Sequence, residues 1–168
     1  MTTKNKFSNI KVQVACVPDF EKQVKKVFFS CLEDYIDRFD AKLTTEKVTI
    51  QICFIEYPDP YDSDMMSGTS HGLTVWSTEH DKKIFIQVRD PYLNNWEDNC
   101  YVLQQYLAIM CHEFVHACQH LTGRDSIKLP KVKHDKDDER ESYFFDPTEI
   151  EARMLEVPYF CMYCEPLL

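Results

Sequence analysis

Between Val102 and Leu121 apolar residues recur at three- and four-residue steps, at Val102, Leu103, Tyr106, Leu107, Met110, Phe114, Val115 and Leu121. Set among them is CHEFVHACQH, residues 111–120, which places three histidines and a glutamate in an otherwise apolar stretch. The period predicts one long helix from Glu97 to Leu121, stopped by Gly123 just past the last periodic residue. A fold built around this helix must bury its apolar side and still satisfy several ring nitrogens.

His112 and His116 are four positions apart, so a helix puts both imidazoles on one face about one turn apart, where they can share a metal ion. Composition alone, with six histidines in 168 residues, gives about 0.016 chance copies of HExxH. Neutral imidazoles leave the charge of Zn²⁺ uncancelled, so the ion stays a Lewis acid and draws the pKa of a bound water toward neutrality. Glu113 stands beside the first of the pair and projects toward the cleft edge without coordinating. There it can take a proton from that water and later pass it to a leaving amine.

A catalytic zinc normally has three protein ligands and one open position. His120 cannot be the third. Positions 112, 116 and 120 on one straight helix span about 12 Å along the axis, too far for a tetrahedral centre. His120 reads instead as a supporting residue or as a helix-end histidine favoured by the dipole. Gln119 could orient a ligand.

The remaining candidates are Glu149, Glu151 and Glu156, all on a helix opened by Asp146-Pro147-Thr148-Glu149. Asp146 can cap, Pro147 suits the first helical position, and Glu149 can reach back as in a capping box. With capping accounting for Glu149, Glu151 becomes the expected third ligand, since the small Ala152 after it permits close packing. Glu149 is the alternative. Tyr143 and His134 are the candidate donors to an oxyanion, with Arg153 behind them.

The rest of the chain supplies a frame. Residues 10–17 alternate like a half-buried strand, and a helix from Pro18-Asp19 carries Phe20, Val24, Val27, Phe28, Cys31, Leu32, Tyr35 and Phe39 at helical steps. Residues 47–57, 72–78 and 83–89 read as strands, the last two as a hairpin. The order is β-α-β-β-β-α-α, in one α+β domain over residues 1–168. The charged stretch before Asp146 reads as a long functional or solvated loop.

Three glycines leave no phosphate-binding loop, and a net charge of −9 disfavours nucleic acid as a partner. No apolar run approaches a membrane span and no signal-peptide core is present, so a cytoplasmic protein is expected. The eight cysteines are then reduced thiols in apolar surroundings, and the CxxC at Cys161 and Cys164 stands alone.

The pairing of His112-Glu113-Phe114-Val115-His116 with Glu149-Ile150-Glu151-Ala152 resembles the zincin metallopeptidases, in their gluzincin arrangement. It is similar to small ImmA/IrrE-type peptidases and to short phage- or virus-encoded peptidase-like proteins. The resemblance implies His112, His116 and Glu151 as zinc ligands and Glu113 as general base, acting on a peptide or protein substrate. It also implies a minimal zincin-like fold, a mixed sheet backed by a helix, with an edge strand beside the cleft that can pair with an extended peptide. Residues 83–89 are expected to be that edge. A protein of the same scaffold whose metal serves binding rather than catalysis is the alternative.

Overall fold

The computed structural model describes residues 6–15, 18–55, 72–77, 82–89, 100–125 and 146–164. Strand β1 (Ile10–Ala15) leads into helix α1 (Pro18–Phe39), and strands β2 (Val48–Ile55), β3 (Gly72–Ser77) and β4 (Lys83–Arg89) follow. Helices α2 (Cys100–Thr122) and α3 (Pro147–Tyr159) complete the described elements, with a π turn over Phe160–Cys164. The order is the one expected, and the class is α+β: a four-stranded mixed sheet with three helices.

Alternation in the strands decides which face of the sheet is covered. Ile10 and Val12, then Val48, Ile50 and Ile52, then Ile84, Ile86 and Val88 are all buried. Residues between them, such as Gln13 and Gln51, take the other face, where their amides bond across the strands at 3.3 Å. Against the buried face lie the helical steps read from α1 and α2. Val24, Val27, Phe28, Cys31, Leu32 and Tyr35 are 0–2% exposed, and Met110, Phe114, Val115 and Leu121 are 0–1% exposed. The Phe28 and Phe114 rings meet edge-on at 5.2 Å and join the two helices. Truncating a ring buried in this way costs about 3–5 kcal/mol.

Strands run in the order β1-β2-β4-β3. β1 and β2 are parallel, with α1 as the connection between them, and β4 is parallel to β2. β3 pairs antiparallel with β4 as the expected hairpin. One expectation is corrected by this order. Residues 83–89 form an interior strand, and β3 is the edge beside α2. Nearness in sequence to the metal-motif helix suggested the reverse, but β4 carries three side chains that are 0–1% exposed and takes the central place next to β2.

Both helix ends that frame the site form as the sequence predicts. Gly123 adopts φ 68°, a conformation that costs glycine little. It lets the Gly123 and Arg124 amides bond back to the His120 and Gln119 carbonyls, which closes α2. Asp146 caps α3 by accepting from the Thr148 amide at 2.8 Å, with Pro147 in the first turn. At the far end, Pro158 has no N–H to offer the Met154 carbonyl. The helix nonetheless runs on to Tyr159, and the Phe160 N–H reaches the Glu156 and Val157 carbonyls as the chain widens into the π turn. Among the described residues no helix is long and apolar enough to cross a membrane.

Candidate metal centre

His112 and His116 face α3 from one side of α2, their rings 4.8 Å apart and their Nε2 atoms 3.1 Å apart. What each imidazole does with its other nitrogen fixes its state. His112 Nδ1 lies 2.9 Å from Glu156 Oε2, and a carboxylate can only accept, so Nδ1 carries the proton. His116 Nδ1 lies 2.8 Å from Gln119 Oε1. That amide cannot be reversed without loss, because its nitrogen donates to the Thr148 carbonyl at 2.9 Å and to Glu151 Oε1 at 3.1 Å. Both Nδ1 positions are therefore donors, and in the neutral rings both Nε2 lone pairs point at the same small volume.

The third wall of that volume is Glu149. Its Oε1 is 3.3 Å from His116 Nε2 and its Oε2 is 3.4 Å from His112 Nε2. One donor atom from each of the three residues falls within 4.8 Å of the others. Ligand atoms on a tetrahedral ion with bonds of 2.0–2.1 Å sit about 3.3 Å apart, so the spacing of these donors fits such an ion. Two facing lone pairs beside a carboxylate are unfavourable without a cation between them. The electrostatics agree. Burial pulls the His112 pKa down, but the Glu149 and Glu156 carboxylates outweigh it and push it up to about 9. His116 is also raised, with burial opposed by Glu149 and Glu113. This is a place built to hold positive charge, whether a proton or a metal ion.

Of the two glutamates weighed as third ligand, the structure brings the alternative, Glu149, to the imidazoles and not the expected Glu151. Helix geometry gives the reason. Residues 149 and 151 point about 160° apart around α3, whereas 149 and 156 point within about 20° of each other. Glu149 and Glu156 therefore share the face toward the imidazoles. Glu151 turns toward Arg124, whose Nη2 donates to it at 2.7 Å, and toward Tyr35, whose hydroxyl also donates to it. Ala152 is fully buried, so the close approach read from it is real. The glutamate that profits from it is three residues earlier, not one.

Glu113, the next residue on α2, packs against the edge strand β3. It is 5% exposed and accepts a 2.7 Å hydrogen bond from Thr74 Oγ1. Burial raises its pKa, while the Thr74 hydroxyl and the two imidazoles work against the rise. Gly72 packs directly on this side chain: a Cβ there would meet Glu113 Cγ at 2.7 Å and Cδ at 2.9 Å. Gly72 is needed for space, not for a left-handed backbone. Gly72→Ala should therefore lower stability by about 1–3 kcal/mol, read as a shift in the denaturant midpoint. A midpoint equal to that of the parent would mean the carboxylate is not confined.

His120 stays outside the group and bonds Asp125 at 2.9 Å near the end of α2. Tyr143 and His134 lie outside the described residues. Glu156 was weighed only as a ligand candidate, and Thr74 and Gly72 were not singled out from the sequence. The seven-residue spacing from Glu149 was a legible signal for Glu156, whereas nothing local marks a threonine and a glycine on a distant strand. No protein-family model, no curated protein and no solved structure matches this chain.

Proposed function

We propose that this chain is a zinc-dependent metallopeptidase of zincin type, in which His112, His116 and Glu149 hold the ion and Glu113 is the general base. The observation that carries the reading is the convergence of two imidazole lone pairs and one carboxylate, with a second, non-converging carboxylate buried on the adjacent position of the same helix. Two histidines and one carboxylate are a catalytic rather than a structural zinc set, because three protein ligands leave a position open.

Zinc, if held by His112, His116 and Glu149, would supply the Lewis acidity that makes water acidic enough for a carboxylate base. The chain's own residues do the rest. Glu156 and Gln119 fix the tautomers of His112 and His116 and keep their rings turned inward. Glu113, with its proton affinity raised by burial, accepts a proton and retains it long enough to deliver it to a leaving amine. Thr74 holds the carboxylate in place for both transfers. The edge position of β3 offers an extended peptide a strand to pair with, next to Glu113.

The direct test measures metal content and peptide cleavage together. Purified protein should carry about one zinc per chain, and it should cleave an unstructured peptide pool in a reaction stopped by a zinc chelator and restored by zinc. Protein that binds no metal at neutral pH would end the reading. Zinc at full occupancy with no cleavage of any peptide would favour a metal-containing binding protein on the same scaffold.

Outer contacts give a finer measure. Glu156→Gln keeps the shape of the His112 partner but removes its charge, and should weaken zinc binding by about 10–100-fold. Competition with a calibrated chelator reads this directly, and an unchanged affinity would remove Glu156 from the site.

A further inference from the structure

Cys161 and Cys164 make a CxxC that neither the sheet nor the metal centre requires, and the fold brings a third thiol to it. Cys164 Sγ lies 3.5 Å from Cys111 Sγ, both residues being buried, while Cys161 on the same π turn is exposed. Sulfurs already in contact need only a small rotation and shift to reach the bond length of about 2.05 Å.

The two sulfurs belong to the elements that carry the candidate ligands. Cys111 immediately precedes His112 on α2. Cys164 ends the turn that continues α3, whose Glu149 and Glu156 face the imidazoles. We propose that Cys111 and Cys164 form an oxidisable dithiol, entered through Cys161, whose disulfide staples α2 to the far end of α3.

The oxidant is a low-molecular-weight disulfide. The Cys161 thiolate attacks one of its sulfurs and expels a small thiolate. Cys164 then attacks Cys161 Sγ, three residues away on the same turn, and expels the second. Cys111 next attacks Cys164 Sγ and releases Cys161 as a thiolate. One S–S bond is broken and one formed; two electrons pass to the oxidant, and the protons of Cys111 and Cys164 end on the two small thiols. The exposed cysteine is the reactive one, and the buried pair is the stable destination.

The test exposes the reduced full-length protein to oxidised glutathione, quenches in acid, alkylates under denaturing conditions and maps the peptides by mass spectrometry. The expected product is a Cys111–Cys164 linked peptide with Cys161 alkylated. Cys161→Ser should reach the same product at least about tenfold more slowly. Glutathione retained on Cys161 while Cys111 and Cys164 remain fully alkylated would overturn the pairing, as would a link between other cysteines. An unchanged rate in Cys161→Ser would overturn the entry route. This mapping needs no metal, so it stands or falls separately from the zinc reading.

Discussion

Glu113→Gln should leave zinc content and unfolding midpoint close to those of the parent while lowering peptide cleavage by about 10²–10⁴-fold. The separation follows from where the side chain sits. Glu113 is not among the converging donors, so the substitution leaves the proposed ligands His112, His116 and Glu149 untouched. Glutamine has nearly the same shape as glutamate, its amide oxygen can still accept from Thr74 Oγ1, and burying a neutral amide avoids the cost of burying a charge. What glutamine cannot do is accept and return a proton. The measurements are initial rates on one peptide, zinc by elemental analysis, and denaturant unfolding, all on the same preparation. Cleavage at the parental rate with zinc retained would remove Glu113 from the chemistry. Loss of zinc along with activity would mean the residue supports the ligands, and the base would have to be sought elsewhere.

The legibility of this fold in its sequence has a physical pattern. Periodicity and, for α3, capping signals located the seven described regular elements, since burial of one face imposes a step of two or of about 3.6 residues. Among the described side chains, the steps from Val24 to Tyr35 in α1 and from Leu107 to Leu121 in α2 are buried, while Phe20 and Phe39 are half-buried. Local punctuation was equally reliable. Gly123 and Asp146-Pro147 act through backbone bonds within a few residues, so no tertiary knowledge was needed to place them. Strand order was not local. Whether β3 or β4 takes the edge depends on which can lie parallel to β2, and the pattern of 83–89 alone does not reveal its neighbours.

The candidate site divides along the same line. His112 and His116 were legible because both sit on one helix at a fixed spacing. Glu149 stood only as the alternative because its position in the first turn of α3 offered a sufficient local explanation in capping, although Asp146 alone already caps the Thr148 amide. A residue that satisfies a local rule can still be turned toward another helix. The two-turn spacing of Glu149 and Glu156 was the signal that both face one partner, and it points away from Glu151.

Zinc affinity should fall by more than about 100-fold in Glu149→Ala, beyond the range typical of outer-sphere partners, and by far less in Glu151→Ala. Stability should separate the two variants in the opposite sense. Glu151 binds the Arg124 guanidinium and the Tyr35 hydroxyl, and Arg124 Nε also reaches the Tyr35 oxygen at 3.1 Å while its guanidinium stacks over Phe39 at 4.3 Å. Removing the carboxylate leaves a cation and a phenol facing an emptied site. Breaking a fully buried pair costs about 3–5 kcal/mol, and because the Arg124 side chain keeps 29% exposure a loss of about 2–3 kcal/mol is expected. Glu149→Ala in the metal-free protein should cost less, since it removes one carboxylate from beside two imidazoles that can surrender a proton. Chelator competition gives the affinities and denaturant midpoints in the metal-free state give the stabilities. If Glu151→Ala lost zinc while Glu149→Ala retained it, the ligand would return to Glu151, and the face of α3 turned toward His112 and His116 would have to be the opposite one.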